Sequence, residues 1–165
     1  MEFEVEFKRL YRPLCLYALQ YTQQTDEAED IVQQAFADVW EKLHAGELIA
    51  NLKAYLYQAV KNRSIHFAAR KREEILTDEL PDNLSDTTDE ERIALAERDA
   101  RLWSAIDRLP SERRRIFLLS KRDGLKYQEI AEELHISVKT VEVQISKALK
   151  ALRETAIRIY TFFFG

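Results

Sequence analysis

Residues 137–147 carry polar side chains whose types and spacing suit the reading of DNA bases. Ser137 can cap the N-terminus of a helix, because its hydroxyl can accept one of the free backbone N–H groups there. Lysine, threonine and glutamine side chains at such a helix start can hydrogen-bond to base edges in the major groove. The side chains expected at the DNA are Ser137, Lys139, Thr140 and Gln144, with Arg113, Arg114 and Lys147 as phosphate contacts.

The apolar residues around this segment predict a helix-turn-helix. They fall on one face of each of two successive helices: Ile130, Ala131 and Leu134 in the first, and Val138, Val141 and Ile145 in the second. Ala131 is small where two helices crossing near a right angle must approach closely, and His135–Ile136 supplies the turn. The alternative is an ordinary helical hairpin with solvated polar residues. That alternative does not explain why the helix size, the cap, the turn and the polar face all occur together.

A second candidate nucleic-acid site lies on the predicted helix 52–72, which interleaves aromatic, amide and basic side chains. Single-stranded nucleic acid is held by this combination, because bases stack on rings while cations follow the phosphates. The residues assigned to this site are Tyr57, Lys61, Asn62, Arg63, His66 and Arg70. The alternative is that the tyrosines belong to the core and that the basic residues form a solvated helix end.

The charges are divided along the chain in a way that the net charge of −4 conceals. Residues 61–72 hold five basic and no acidic side chains, and residues 100–165 hold thirteen basic and eight acidic ones. Between them, residues 73–99 hold eleven acidic and two basic side chains. Two basic blocks separated by an acidic segment indicate two nucleic-acid contacts joined by a segment that phosphate repels.

The elements that must position these residues are helical. Helical periodicity along most of the chain, with three glycines and three prolines in total, predicts an all-α fold. We expect two small helical domains, at 1–72 and 90–165, joined by an acidic flexible linker at 73–89. Helix ends are predicted from local signals: a start or kink at Pro13, caps at Thr25 and Ser111, stops at Ala45–Gly46, Pro110 and Asp123–Gly124, and a last helix that continues to about Arg158.

Catalytic chemistry has little support in the sequence. Asp26, Glu29 and Asp30 could be imagined as metal ligands or as an acid–base pair, but carboxylates in a first helical turn are explained by the helix dipole. Cys15 stands alone, the three histidines are scattered, and no glycine-rich phosphate loop or nucleophile motif occurs. We therefore expect no enzyme, no metal and no cofactor. Without a leader or a stretch of about eighteen apolar residues, a cytoplasmic protein is expected.

Three segments resemble those of a known family, the extracytoplasmic-function (ECF) sigma factors of bacterial RNA polymerase. Asp26–Trp40 is similar to the family's segment that binds core polymerase. Lys53–Ile65 resembles the segment that opens and reads the −10 promoter element, and Leu109–Phe117 resembles the start of the domain that reads the −35 element. Tyr55 departs from the family, where many relatives have tryptophan, and so does His66, where many have aspartate.

The resemblance implies a protein without catalytic activity or a small-molecule substrate. Its partners would be promoter DNA, the β′ clamp and β flap of core RNA polymerase, and a membrane-associated anti-sigma factor. The residues that would bind core polymerase are Asp26, Glu29, Asp30, Gln33, Asp38 and Trp40. The residues of helix 52–72 assigned above would bind the −10 element, and those of the helix-turn-helix the −35 element.

Two other kinds of protein remain as alternatives. A stand-alone regulator, similar to response-regulator output domains, would have the same helix-turn-helix but also a phosphoacceptor or a ligand pocket, neither of which is visible. A helical adaptor would leave the polar face of residues 137–146 unexplained. The C-terminal Phe162–Phe164 would be either a plug for the core of the C-terminal domain or a sticky site covered by a partner.

Overall fold

The computed structural model describes residues 2–75 and 86–153, and the regular structure in these ranges is entirely helical, so the all-α prediction is confirmed. The helices are α1 (Glu2–Thr22), α2 (Thr25–His44), α3 (Leu52–Ile75), α4 (Asp89–Asp107), α5 (Ser111–Lys121), α6 (Tyr127–Leu134) and α7 (Val138–Leu152). None of these helices is both long and apolar enough to cross a membrane. The chain divides into two compact units, Met1–Ala100 and Arg101–Gly165.

The N-terminal unit is built on α1, α2 and α3, which pack against one another. Each contributes apolar side chains three or four residues apart, so that one face of each helix is removed from water. Pro13 lies inside α1, and the chain therefore forms one helix there instead of starting a second. The fully buried residues at the centre of this unit are Leu14, Tyr17, Val32, Val39, Leu56 and Val60.

Helix α4 contributes to both units, and this places the division of the chain later than the sequence suggested. Ile93 and Ala96 pack on the N-terminal core, while Leu102 and Ile106 belong to the core of the C-terminal unit. The division falls after Ala100, inside α4, instead of between an acidic linker and residue 90. Residues 76–85, most of the linker predicted at 73–89, lie outside the described part of the chain.

Polar contacts hold the start of α4 against the N-terminal helices. The Tyr17 hydroxyl donates a hydrogen bond to the Asp89 carboxylate, and the Gln20 Nε2 donates to the Arg92 carbonyl at 2.9 Å. Further along, Lys53 Nζ lies 2.9 Å from Glu97 Oε2. Helix α4 therefore begins at Asp89, one residue before the helix predicted from residue 90, and its first turns are anchored on α1 and α3.

Helix ends follow the predicted stops better than the predicted caps. Gly46 and Gly124 have left-handed backbone angles, φ +85° and +74°, which suits glycine just beyond a helix. The caps at Thr25 and Ser111 are wrong, because both residues are already the first of their helices. Their predecessors, Gln24 and Pro110, have extended backbones and take the cap positions without a side-chain hydrogen bond.

In the C-terminal unit α5, α6 and α7 pack on one another, and the second half of α4 adds Leu102 and Ile106 to their core. Its fully buried large residues are Ile106, Ile116, Phe117, Ile130, Val141 and Leu152. Of the positions that the sequence assigned to the inner faces of the helix-turn-helix, Ile130, Ala131, Val141 and Ile145 are buried, and Leu134 and Val138 are half-buried against the same core. The predicted continuation of α7 to about Arg158, and the Phe162–Phe164 segment, lie outside the described residues.

Candidate nucleic-acid interface

The helix-turn-helix is formed by α6, of eight residues, and α7, of fifteen. The turn between them depends on His135, whose backbone adopts the left-handed conformation with φ +56°. Ala131 is 5 % exposed, as expected for a small residue where two helices meet. Ser137 caps α7, because its Oγ accepts the Thr140 backbone N–H at 3.0 Å, so the cap predicted at this position is confirmed.

The polar residues of α7 differ in how freely they can reach a ligand. The Lys139 side chain is 82 % exposed and has a single nearby carboxylate, Glu142, at 3.8 Å. Thr140 is half-buried, and its hydroxyl lies 2.8 Å from that of Ser137. Lys147 is exposed two turns further along the helix. Lys139 is therefore the long, exposed side chain at the start of this helix, where a recognition helix meets base edges.

The two arginines of α5 assigned to phosphates are held in place by protein contacts. Arg113 Nε donates to Gln144 Oε1 at 3.0 Å, which joins α5 to α7. Arg114 Nη1 donates to the Asp107 carbonyl at 2.8 Å, at the end of α4. Each guanidinium keeps further N–H groups for a phosphate. Because the Gln144 amide oxygen already accepts a hydrogen bond from Arg113, a base read by Gln144 would share that oxygen with Arg113.

A cavity of about 600 Å³ opens between α2 and α3 in the N-terminal unit. Its lining brings together two residues assigned to the −10 element, Asn62 and Arg63, with Tyr55 and Asp38. The remaining lining residues are Ala35, Glu41, Lys42, Ala45, Glu47 and Ala59. Asn62 Oδ1 accepts from Gln58 Nε2 at 2.9 Å, which orients the amide along the helix. The cavity thus combines an aromatic ring, an amide and a guanidinium.

Tyr57 does not belong to this surface, and its assignment as a base-stacking ring is contradicted. The residue is 4 % exposed, and its ring meets that of Tyr17 edge-on at 5.2 Å, so neither face is open to a base. Its hydroxyl is buried without a hydrogen-bond partner among the described residues, and burial raises its pKa. Tyr55, 37 % exposed, is the ring that lines the cavity, and the helical spacing from Tyr55 to Asn62 could have indicated this.

The other residues assigned to α3 fall on two faces of the helix. Asn62, Arg63, His66 and Arg70 follow Tyr55 at helical spacing, and His66 and Arg70 are exposed. Lys61 lies on the other side of α3, where its Nζ is 3.6 Å from Asp89 Oδ2 at the start of α4. The candidate surface for single-stranded nucleic acid is therefore the face that begins at Tyr55, without Lys61 and Tyr57.

Five of the six residues assigned to core polymerase share one stripe of α2. Their spacing of three, four or seven residues places them on one side of the helix. They are Asp26, Glu29, Asp30, Gln33 and Trp40, all exposed. Trp40 is supported by the Phe3 ring at 4.9 Å and the His44 ring at 4.0 Å. Asp38 lies about a third of a turn away, on the side that faces α3.

Comparison with known proteins matches each unit to a family description. Residues 7–74 match Sigma-70 region 2, and residues 99–152 match Sigma-70, region 4. The chain is 33% identical over 133 residues to the RNA polymerase sigma-E factor of Streptomyces antibioticus, covering 78% of this chain and 69% of that protein. It is 26% identical to the RNA polymerase sigma factor SigV of Bacillus subtilis, covering 82% and 80% of the two chains.

Two solved structures align with most of the chain at low similarity. One is the sigma factor RpoE in complex with the anti-sigma factor NepR from Bartonella quintana, at 20% identity and a TM-score of 0.38, covering 96% of this chain and 98% of that one. The other is CnrH in complex with the cytosolic domain of CnrY, at 20% identity and a TM-score of 0.37, covering 95% and 88%.

Proposed function

The chain belongs to the RNA polymerase sigma factors, in the ECF group, and from this premise we propose how its two units divide promoter recognition. As a sigma factor, it directs RNA polymerase to promoters and supports the initiation of transcription. The exposed stripe of α2 binds core polymerase, the cavity face of α3 binds the unpaired −10 element, and α7 enters the −35 major groove. The chain contributes no catalytic group of its own and works in the cytoplasm, where polymerase is.

The observation that carries this proposal is the recognition helix of the C-terminal unit. A Ser137-capped α7 with an exposed Lys139 at its start has the geometry with which a helix-turn-helix reads DNA. The test is gel filtration of the purified chain with core RNA polymerase, followed by run-off transcription from a promoter library. Co-elution together with initiation at a defined subset of sequences is expected. A chain that neither co-elutes nor changes the start sites would refute the proposal.

The α2 stripe leads to a prediction about polymerase binding. Asp30→Lys should weaken the affinity for core polymerase by about 1–2 kcal/mol at low salt, because it removes one attractive exposed charge and adds a repulsive one. Fluorescence anisotropy of the labelled chain against core polymerase measures this change. Glu73→Lys, an equal charge reversal at the exposed end of α3, is the matched control. Equal loss in both variants would show that net charge, and not the stripe, sets the affinity.

The cavity leads to a prediction about strand opening. Asn62→Ala removes a base-reading amide and should cost about 0.5–1.5 kcal/mol, the range of one hydrogen bond. We expect permanganate reactivity of −10 thymines to fall more than closed-complex binding does. Gln58→Ala breaks the same Gln58–Asn62 hydrogen bond and leaves the Asn62 amide in place, so it should retain opening. Loss of opening in both variants would point to the intrahelical bond instead of a base contact.

An anti-sigma factor is the regulatory partner that we propose for an ECF sigma factor. It would restrain the protein until a signal releases it, and a membrane-associated partner is expected. Co-expression of the chain with its genomic neighbours, followed by affinity purification, tests this. The expected result is a stable complex that no longer binds core polymerase.

A further inference from the structure

Asp38 and Arg63 form an ion pair that crosses from α2 to α3. Asp38 Oδ2 contacts Arg63 Nη2, and the other carboxylate oxygen of Asp38 accepts a hydrogen bond from Gln34 Nε2 at 3.3 Å. The two side chains are 36% and 39% exposed, and both line the 600 Å³ cavity. The pair therefore stands at the opening of the cavity and remains within reach of a ligand.

We propose that Asp38 is a positioning residue that makes Arg63 a contact for a base edge instead of a phosphate. The proposal rests on the proposed function of the cavity as the site for unpaired −10 bases. It also removes Asp38 from the residues proposed to bind core polymerase, among which the family resemblance had placed it.

Asp38 compensates the charge of Arg63. An exposed arginine with no partner attracts any phosphate, and such contacts carry no sequence information. The carboxylate of Asp38 offsets the charge of Arg63 and fixes one of its terminal nitrogens. Each paired donor face of the guanidinium, Nε with Nη2 or Nη1 with Nη2, uses one of the two Nη2 N–H groups, so the contact with Asp38 on one face leaves the other face for the paired acceptors of a base edge. Arg63 thus keeps N–H groups that can donate hydrogen bonds to a base, while its electrostatic attraction for phosphate is reduced.

The other charged residues of the cavity also favour a neutral ligand over a phosphate. Its other cation, Lys42, lies 3.3 Å from Glu47 Oε2, and this hydrogen bond raises the pKa of Lys42. Both cations in the lining are therefore paired, and the carboxylates of Asp38, Glu41 and Glu47 outnumber them. Phosphate is disfavoured in such surroundings, whereas the neutral edge of a base, with donors and acceptors, is accommodated.

Asp38 lies apart from the exposed stripe of α2 that is proposed to bind polymerase. The stripe from Asp26 to Trp40 advances in steps of three, four or seven residues, and Asp38 falls outside it. A partner bound to that stripe would meet Asp30 and Gln33, which are exposed, while Asp38 stays turned toward α3. The roles of Asp38 and Asp30 can consequently be distinguished by substituting each residue alone.

The test uses the full chain assembled with core RNA polymerase. Binding of single-stranded −10 oligonucleotides, each with one base varied, is measured by anisotropy at several salt concentrations. Asp38→Asn should reduce the discrimination among bases at one position by at least about fivefold, the lower end for one bidentate contact. It should also steepen the salt dependence of binding by about 0.7, the slope for one added phosphate contact on a single strand.

Three further variants distinguish positioning from folding. Asp38→Glu retains a carboxylate and should recover most of the discrimination, whereas Arg63→Lys should lose it with Asp38 intact. Asp30→Asn should weaken the affinity for core polymerase and leave base discrimination unchanged. Asp38→Asn should weaken base discrimination and leave the affinity for core polymerase unchanged. The thermal midpoint should stay the same in each, because exposed ion pairs contribute little to stability.

The proposal is overturned if Asp38→Asn retains the parent's discrimination and salt dependence, or if it loses polymerase affinity as Asp30→Asn does. A parent chain that binds polymerase without any base preference would instead refute the proposed function of the cavity, and the role of Asp38 with it. The two failures are distinguishable, because the second appears in the unsubstituted chain.

Discussion

Phe117→Ala should unfold the C-terminal unit and leave the N-terminal helices folded. Phe117 is fully buried at the centre of that unit, and truncation of a buried phenylalanine costs about 3–5 kcal/mol. A unit of this size has a net stability of only a few kcal/mol, so the loss is comparable to the whole. Hydrogen exchange read by mass spectrometry should show fast exchange in α5, α6 and α7 and retained protection in α1, α2 and α3.

Val143→Ala is the matched control for this experiment. Val143 is also apolar but 38% exposed on α7, and surface substitutions usually change stability by less than about 0.5 kcal/mol. The variant should therefore keep the exchange pattern of the parent. If Phe117→Ala also removes protection from α1 to α3, the two units do not fold independently. They would then unfold as one cooperative unit, although the structure divides within α4.

The features that the sequence predicted correctly depend on neighbouring residues. The Ser137 cap requires only the backbone of Thr140, three residues away, and the stop at Gly124 requires only a left-handed backbone angle. The buried faces of α6 and α7 follow from spacing within each helix. Local rules were less reliable at Thr25 and Ser111, where the preceding residue takes the cap position and the helix starts one position earlier than expected.

The features that the sequence missed depend on partners far along the chain. Tyr55 and Tyr57 are alike in type and two residues apart. The packing of Tyr57 on Tyr17 makes Tyr57 a core residue, and the helical spacing from Tyr55 to Asn62 is the local signal that separates the two. The helical start of α4 rests on bonds from Tyr17 and Gln20 to residues 72 positions away. The sequence predicted helix from residue 90, one residue after the observed start, but it gave no sign of these bonds.

Lys139→Ala should change which −35 sequences the protein prefers. The Lys139 side chain is 82% exposed at the start of α7, where a recognition helix meets base edges. Its removal should cost about 1–3 kcal/mol on the preferred element and flatten the discrimination at one or two base pairs. The Glu142 carboxylate, 3.8 Å from Lys139 Nζ, restrains the amine weakly, so most of the loss should come from the DNA contact.

Lys147→Ala provides the contrast, because Lys147 is equally basic and exposed but lies two turns further along α7. A phosphate contact there positions the helix without reading sequence. Its loss should weaken binding to all sequences alike and reduce the slope of log affinity against log salt by about one. A promoter-library selection with the polymerase-bound factor measures both effects at once. The reading role of Lys139 would be contradicted by a uniform loss of affinity that kept the parent's −35 preference, since that is the behaviour expected of Lys147.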